Sequence, residues 1–184
     1  MKNKKVLLVF PDLSERSWHR GYFHYGLAHI SSYLKQNVKD VEVSLLTVHN
    51  KNFSQTDFNQ KIKKFSPEVI GFTSTTHSFP LVQKMVGWTK KFDRDILTVC
   101  GGIHVTINPE DALLSSGSDV VVCGDGEYPM EALVNAWTER GVIAHERGIW
   151  YKKDDTVISN GIATVADLAL LPDPDWDIFD YMNL

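Results

Sequence analysis

Three short runs of this sequence gather the residue types that hold a polar ligand against main chain. The first is Thr73-Ser74-Thr75-Thr76-His77-Ser78, six consecutive side chains with hydrogen-bonding atoms, which suit amide, ring-nitrogen or phosphate groups. The second is Gly101-Gly102-Ile103-His104-Val105-Thr106, with Asn108-Pro109-Glu110 close behind. A glycine pair permits a turn with positive φ and lets a ligand come close to the backbone. The third is Gly124-Asp125-Gly126-Glu127, a glycine turn into a helix start, a geometry that favours anions, although Asp125 and Glu127 would repel an anion they faced. Cofactor contact is expected from Ser74, Thr75, Thr76, Gly101, Gly102, His104, Thr106, Gly124, Gly126 and Glu127.

Plainer roles compete at several of these positions. Ser78 stands where a helix cap is wanted, the glycine pair alone makes a tight turn, and Glu127 caps its own helix or accepts a ligand hydroxyl. His104 reads as a hydrogen-bond donor, a metal ligand or a satisfied loop histidine, and no second ligand stands beside it to favour a metal. Pro11–Tyr25 is a long loop with Trp18, His19, Tyr22, Phe23, His24 and Tyr25. Loops of this length inside a domain are usually functional, and this one suits either covering a flat apolar macrocycle or docking on another domain.

The elements that must position these runs alternate along the chain. Near-continuous apolar stretches at Val6–Phe10, Val41–Val48, Val69–Thr73, Ile96–Cys100 and Asp119–Cys123 read as strands of a sheet covered on both faces. Helical spacing follows each of them, over Gly26–Gln36, Phe53–Phe65, Phe79–Phe92, Pro109–Ser115 and Glu127–Arg140, with Pro80 and Pro109 in first turns and Asn108 as a cap. Strand and helix in alternation with short connections predict an α/β fold: a Rossmann-like, flavodoxin-like, doubly wound five-stranded parallel sheet with flanking helices. In such sheets ligands bind outside the carboxyl ends of the strands, where all three runs lie. A β-hairpin turning at Lys153–Asp155 follows, and then an extended, proline- and aspartate-rich segment, Leu170–Asp180. The expected organisation is 1–142 as the ligand-binding domain, 143–165 as a hairpin extension and 166–184 as a linker toward a further domain.

Composition narrows the class. With 184 residues, 43% hydrophobic and a formal net charge of −4, the chain can bury one core and has no long-range pull toward nucleic acid or an anionic membrane. The absence of a bilayer-length apolar run and of a signal-peptide core points to a cytoplasmic protein. Cys100 and Cys123 each end a buried strand and read as small core residues. Neither GxxxxGK[ST] nor a GxGxxG turn after the first strand is present, which argues against nucleoside triphosphates and ordinary dinucleotides. No nucleophile elbow appears, and Thr73 stands where a receiver domain would carry its phosphoacceptor.

The runs Gly26-Leu27-Ala28-His29-Ile30-Ser31-Ser32-Tyr33-Leu34, Pro67–Gly71, Gly101–Thr106 with Pro109-Glu110, Gly124–Glu127 and Leu171–Phe179 together resemble the amino-terminal cobalamin-binding domain of cobalamin-dependent radical S-adenosylmethionine enzymes, the class of the anaerobic magnesium-protoporphyrin ester cyclase and many methyltransferases. The resemblance implies cobalamin as cofactor, with its corrin ring over the carboxyl edge and its nucleotide tail beside the strands. Ser74, Thr75 and Thr76 would meet the tail, Gly101 and Gly102 would let it pass, and Gly124 and Gly126 would flank it. The Asp-x-His-x-x-Gly loop of cobalamin mutases is missing, since Pro11–Trp18 stands there, so no residue is assigned as cobalt ligand. The Cys-x3-Cys-x2-Cys motif is missing too. S-adenosylmethionine and the iron–sulfur cluster would therefore belong to a partner, the carboxyl-terminal radical domain, and these residues alone would carry no catalytic or metal-binding group. The alternative implied is a cofactor-free scaffold of the same enzyme class.

Overall fold

The computed structural model describes residues 3–13, 23–49, 53–165 and 167–179. Five strands, β1 (Lys4–Pro11), β2 (Val41–Val48), β3 (Val69–Thr73), β4 (Leu97–Gly101) and β5 (Val120–Val122), run parallel in the order β2-β1-β3-β4-β5. The expected parallel core is therefore present. The hairpin β6 (Ile149–Lys153) and β7 (Thr156–Ser159) is joined to it, because β6 pairs antiparallel with β5 and extends the sheet to seven strands. Asp154 and Asp155 form its two-residue turn, both with positive φ, the backbone that matches strand twist in a tight hairpin.

Side chains alternate across the sheet as the strand period requires. Leu7, Val9, Ile70, Phe72, Cys100 and Val121 face α2 (Gln55–Phe65), α3 (Phe79–Phe92), α4 (Ile103–Ile107) and α5 (Pro109–Ser116). Val6, Leu8, Val69, Leu97, Val99 and Val122 face α1 (Tyr25–Asn37) and α6 (Glu127–Arg140). Ser54 and Asp57 close a capping box on α2, and Ser66 ends that helix in the left-handed conformation. Cys100 and Cys123 are both buried and free; burial pushes the Cys100 thiol up to about 12, which leaves it unreactive.

Three local expectations need correction. Gly101–Thr106 is not all loop, because Ile103–Ile107 winds one helical turn, held by Thr106 N–H to Gly102 O (3.0 Å) and His104 N–H to Ser74 O (3.3 Å). Asn108 precedes α5 but makes no side-chain cap. Ser78 precedes α3 likewise uncapped; its hydroxyl instead accepts from Thr75 N–H (3.0 Å) and donates to Thr75 O (3.3 Å).

The segment read as a linker folds back on α1. The Asp175 carboxylate accepts from Ser31 Oγ and Lys35 Nζ, each at 2.5 Å, and Asp175 N–H donates to Ala28 O at 3.1 Å. Trp176 meets the edges of Phe23 and Tyr25, Phe179 meets Phe23, and Ile178 packs against the α1/α6 side of the core. Ser31 is fully buried, so removing its acceptor should cost about 1–2 kcal/mol. Asp175→Ala is accordingly expected to lower Tm by about 2–8 °C and to speed chymotryptic cleavage at Trp176 and Phe179, measured by limited proteolysis; unchanged cleavage would mean that the aromatic contacts alone hold the segment.

Candidate functional site

The strand order reverses between β1 and β3, since β1 leads to β2 on one side and β3 lies on the other. A crevice is expected outside the carboxyl ends at such a point, and a cavity of about 170 Å³ lies there. Its origin is a missing side chain. Leu8, Gly71, Val99 and Val120 lie in one lateral row across β1, β3, β4 and β5 on the α1/α6 face. Gly71 leaves a notch in that row, and a Cβ placed there would come within 3.3 Å of Leu8 and 3.4 Å of Met130. Two residues further along the strands, Thr73 pairs with Gly101, a second position without a side chain, and the notch continues to the rim. Leu27 and Ile30 of α1 and Met130 of α6 form the opposite wall.

Polar groups collect at the mouth. His24 precedes α1 and its Nδ1 accepts from Leu27 N–H (3.2 Å), which puts the ring proton on Nε2 for donation to Thr73 Oγ1 (3.3 Å). The ring also meets the Phe10 edge-on. Burial holds His24 below its ordinary pKa of 6.5, only partly offset by its backbone hydrogen bond. A group with a depressed folded pKa stabilises fully above 6.5, and that stability is lost as pH falls through the folded value. His24→Asn keeps a capping side chain and removes the titration, so wild-type Tm should fall relative to this variant between about pH 7 and 5; a constant difference would mean that His24 stays accessible to protons. Glu127, in the first turn of α6, is buried; burial pushes its carboxyl above the usual range, helped by Asp125 and opposed by backbone amides and His29.

The expected contact residues divide into two groups. Gly101, Gly102, Gly124, Gly126 and Glu127 line the cavity. Ser74, Thr75, Thr76, His104 and Thr106 do not line it, and each has a hydrogen-bond partner within the protein. Ser74 Oγ donates to Gly101 O (3.0 Å), and Thr76 Oγ1 lies 3.2 Å from His104 Nδ1, whose ring stacks near Phe79. Thr106 Oγ1 donates to Gly102 O and accepts from Gly124 N–H, both at 3.1 Å, tying two glycine turns together. Gly124 and Gly102 serve the main chain as well: a Cβ at Gly124 would lie 2.1 Å from Ala163 O, and one at Gly102 2.6 Å from Ser74 O. Asp125 accepts from Val165 N–H (2.8 Å). Buried unpartnered nitrogens remain at His104 Nε2 and His29 Nδ1.

Sequence reading missed the cavity's floor and its helical wall: Leu8, His24, Leu27, Ile30, Gly71 and Met130. The available signal was Gly71 itself, a glycine inside an otherwise apolar strand, which marks close approach of another group. Trp18, His19 and Tyr22 lie outside the described residues, so the covering role of that loop rests on sequence alone. Among the described residues, no cluster of three or more His, Cys, Asp or Glu could hold a metal ion, and no helix is long and apolar enough to cross a membrane.

The chain is similar to known proteins in sequence and in fold. The chain is 28% identical over 161 residues to an uncharacterized methyltransferase, PH0819, of Pyrococcus horikoshii, covering 85% of this chain and 34% of that protein. It is 27% identical to the anaerobic magnesium-protoporphyrin IX monomethyl ester cyclase of Rubrivivax gelatinosus, covering 84% and 29%. The chain thus spans about a third of these relatives. Among solved structures, the cobalamin-dependent S-adenosylmethionine radical enzyme OxsB with aqua-cobalamin bound superposes with a TM-score of 0.79 at 18% identity, over 99% of this chain and 25% of that one, a likeness of fold. The family model for the B12 binding domain matches residues 22–134, which take in the α1 wall, the Gly71 floor and all three glycine- and hydroxyl-bearing turns; the chain belongs to the B12 binding domain family.

Proposed function

We propose that this chain binds cobalamin with the planar base of the nucleotide tail in the slot floored by Gly71 and the corrin ring across the carboxyl edge of the sheet. The observation that carries this is the slot. A cavity of roughly 150 Å³ suffices for a benzene-sized ring, so about 170 Å³ open at one end admits the six-membered ring of a fused aromatic base with the remainder of the base toward the mouth. Its walls are aliphatic and its floor and mouth lack side chains at Gly71 and Gly101, the cradle that a flat group entering between strands and helices requires. Exposed Thr75 and Thr76 stand at the rim, where the corrin's amide arms would find hydroxyls.

When bound, the corrinoid supplies a cobalt centre able to carry a methyl group. The chain's own residues would orient it: α1 and α6 would flank the tail on one side, His24 is fixed as a neutral donor to Thr73, and Glu127 lies buried beside the entry. We infer further that in the longer protein this domain serves a radical S-adenosylmethionine domain carrying the iron–sulfur cluster, in methyl transfer or oxidative cyclisation; the names of the relatives support that assignment. Purified protein mixed with hydroxocobalamin and desalted should retain near-equimolar corrinoid by absorbance. Complete loss of corrinoid on desalting would overturn the proposal.

A further inference from the structure

The slot's lining differs sharply between its depth and its mouth, and that difference bears on which cobamide it takes. In depth it is walled by Leu8, Leu27, Ile30, Val99, Val122 and Met130 around Gly71, none of which offers a side-chain hydrogen bond. At the mouth the polar groups are engaged or turned elsewhere. Both His24 nitrogens are used, by Leu27 N–H and Thr73 Oγ1. Asp125 takes Val165 N–H, and the Glu127 carboxyl, at the cavity's mouth, accepts from the backbone N–H groups that open α6. Strand carbonyls and amides at this depth belong to the parallel ladder.

From this we infer, resting on the reading above, that the slot selects the lower base: it takes cobamides with an apolar fused aromatic, such as dimethylbenzimidazole, over those carrying an aminopurine. The two bases are similar in size and flatness, so volume does not separate them. An adenine brings an exocyclic amine and additional ring nitrogens into a wall of methyl groups, and each buried group left unpaired is unfavourable. Apolar pockets reject an added polar group by up to about 100-fold, which sets the scale.

The test is equilibrium dialysis of the whole chain against three probes: cobalamin, the cobamide with adenine in place of dimethylbenzimidazole, and cobinamide, which lacks the nucleotide. The expected order is cobalamin tightest, with the adenine form about 10- to 100-fold weaker. Met130→Gln places an amide over the Gly71 floor and should narrow the difference by about tenfold; if that variant fails to fold, Val99→Thr, an isosteric change that adds one hydroxyl, should narrow it in the same direction. Equal affinity for the two complete cobamides, both above cobinamide, would overturn the selectivity and leave tail binding in place. Loss of the preference in Glu127→Gln would overturn it as well, because the base would then be read by that carboxyl. Retention of none of the three would overturn the cobalamin assignment itself, and the selectivity with it.

Discussion

Gly71→Val is expected to abolish retention of cobalamin while leaving a folded protein. Valine at this position sends two methyl groups into the notch between Leu8 and Met130, whose near atoms are the ends of flexible side chains at 3.3 and 3.4 Å from a Cβ. Overpacking of this kind typically costs about 1–3 kcal/mol, a Tm decrease of about 2–12 °C for a chain of this size. Ring burial in the slot is lost altogether. A buried aromatic contributes about 1.5–3 kcal/mol, so affinity should fall by about 10- to 100-fold. Dialysis against hydroxocobalamin alongside a thermal melt separates the two effects. Gly71→Ala, adding only the Cβ, should fall between wild type and Gly71→Val on both scales.

Gly102→Ala should behave in the opposite way and damage the fold first. Gly102 has φ 93° and ψ −179°, a region that essentially only glycine enters. A Cβ there would lie 2.6 Å from Ser74 O and 2.7 Å from Ser74 N, both main-chain atoms. Neither can retreat, because Ser74 N–H and Oγ both bond to Gly101 O and Ser74 O accepts from His104 N–H. The β3 and β4 turns must separate to admit the methyl group, at roughly 3–5 kcal/mol, which lowers Tm by about 6–20 °C. Gly117 is the control: its φ is 71° but nothing lies within 4 Å of a Cβ, so Gly117→Ala should cost only about 1–2 kcal/mol. Equal melting of the two variants would show that crowding against Ser74 is relieved elsewhere. A change at Gly102 therefore reports on how the turns are joined, and Gly71 is the position that reports on the slot.

The contrast between these glycines shows where sequence is informative. Strands and helices were legible because hydrophobic period and caps are local: α3 begins and ends at the residues that Pro80 and the apolar spacing indicate, and the hairpin turns at the Asp154-Asp155 pair within the expected stretch. The convergence of the three turns on one rim was legible too, since it follows from strand direction alone. What could not be read is lateral register. Nothing in the order of residues says that Gly71 stands between Leu8 and Val99, yet that alignment opens the slot. The hydroxyl run is ambiguous in sequence for a related reason, because Thr75 and Ser78 find partners in each other and Ser74 in Gly101, contacts that composition cannot distinguish from ligand contacts. The single turn Ile103–Ile107 escaped notice because Gly101-Gly102 before it and Asn108-Pro109 after it both signal breaks, while its helical bonds depend on the neighbouring β3 turn.

The visible spectrum of cobalamin bound to the chain at neutral pH bears most directly on whether the base enters the Gly71 slot. A dimethylbenzimidazole lodged between β3 and α6 cannot also coordinate cobalt from below, so the bound corrinoid should show the spectrum of cobalamin with its base released. A bound form with the unchanged, base-coordinated spectrum of the free cofactor would contradict it.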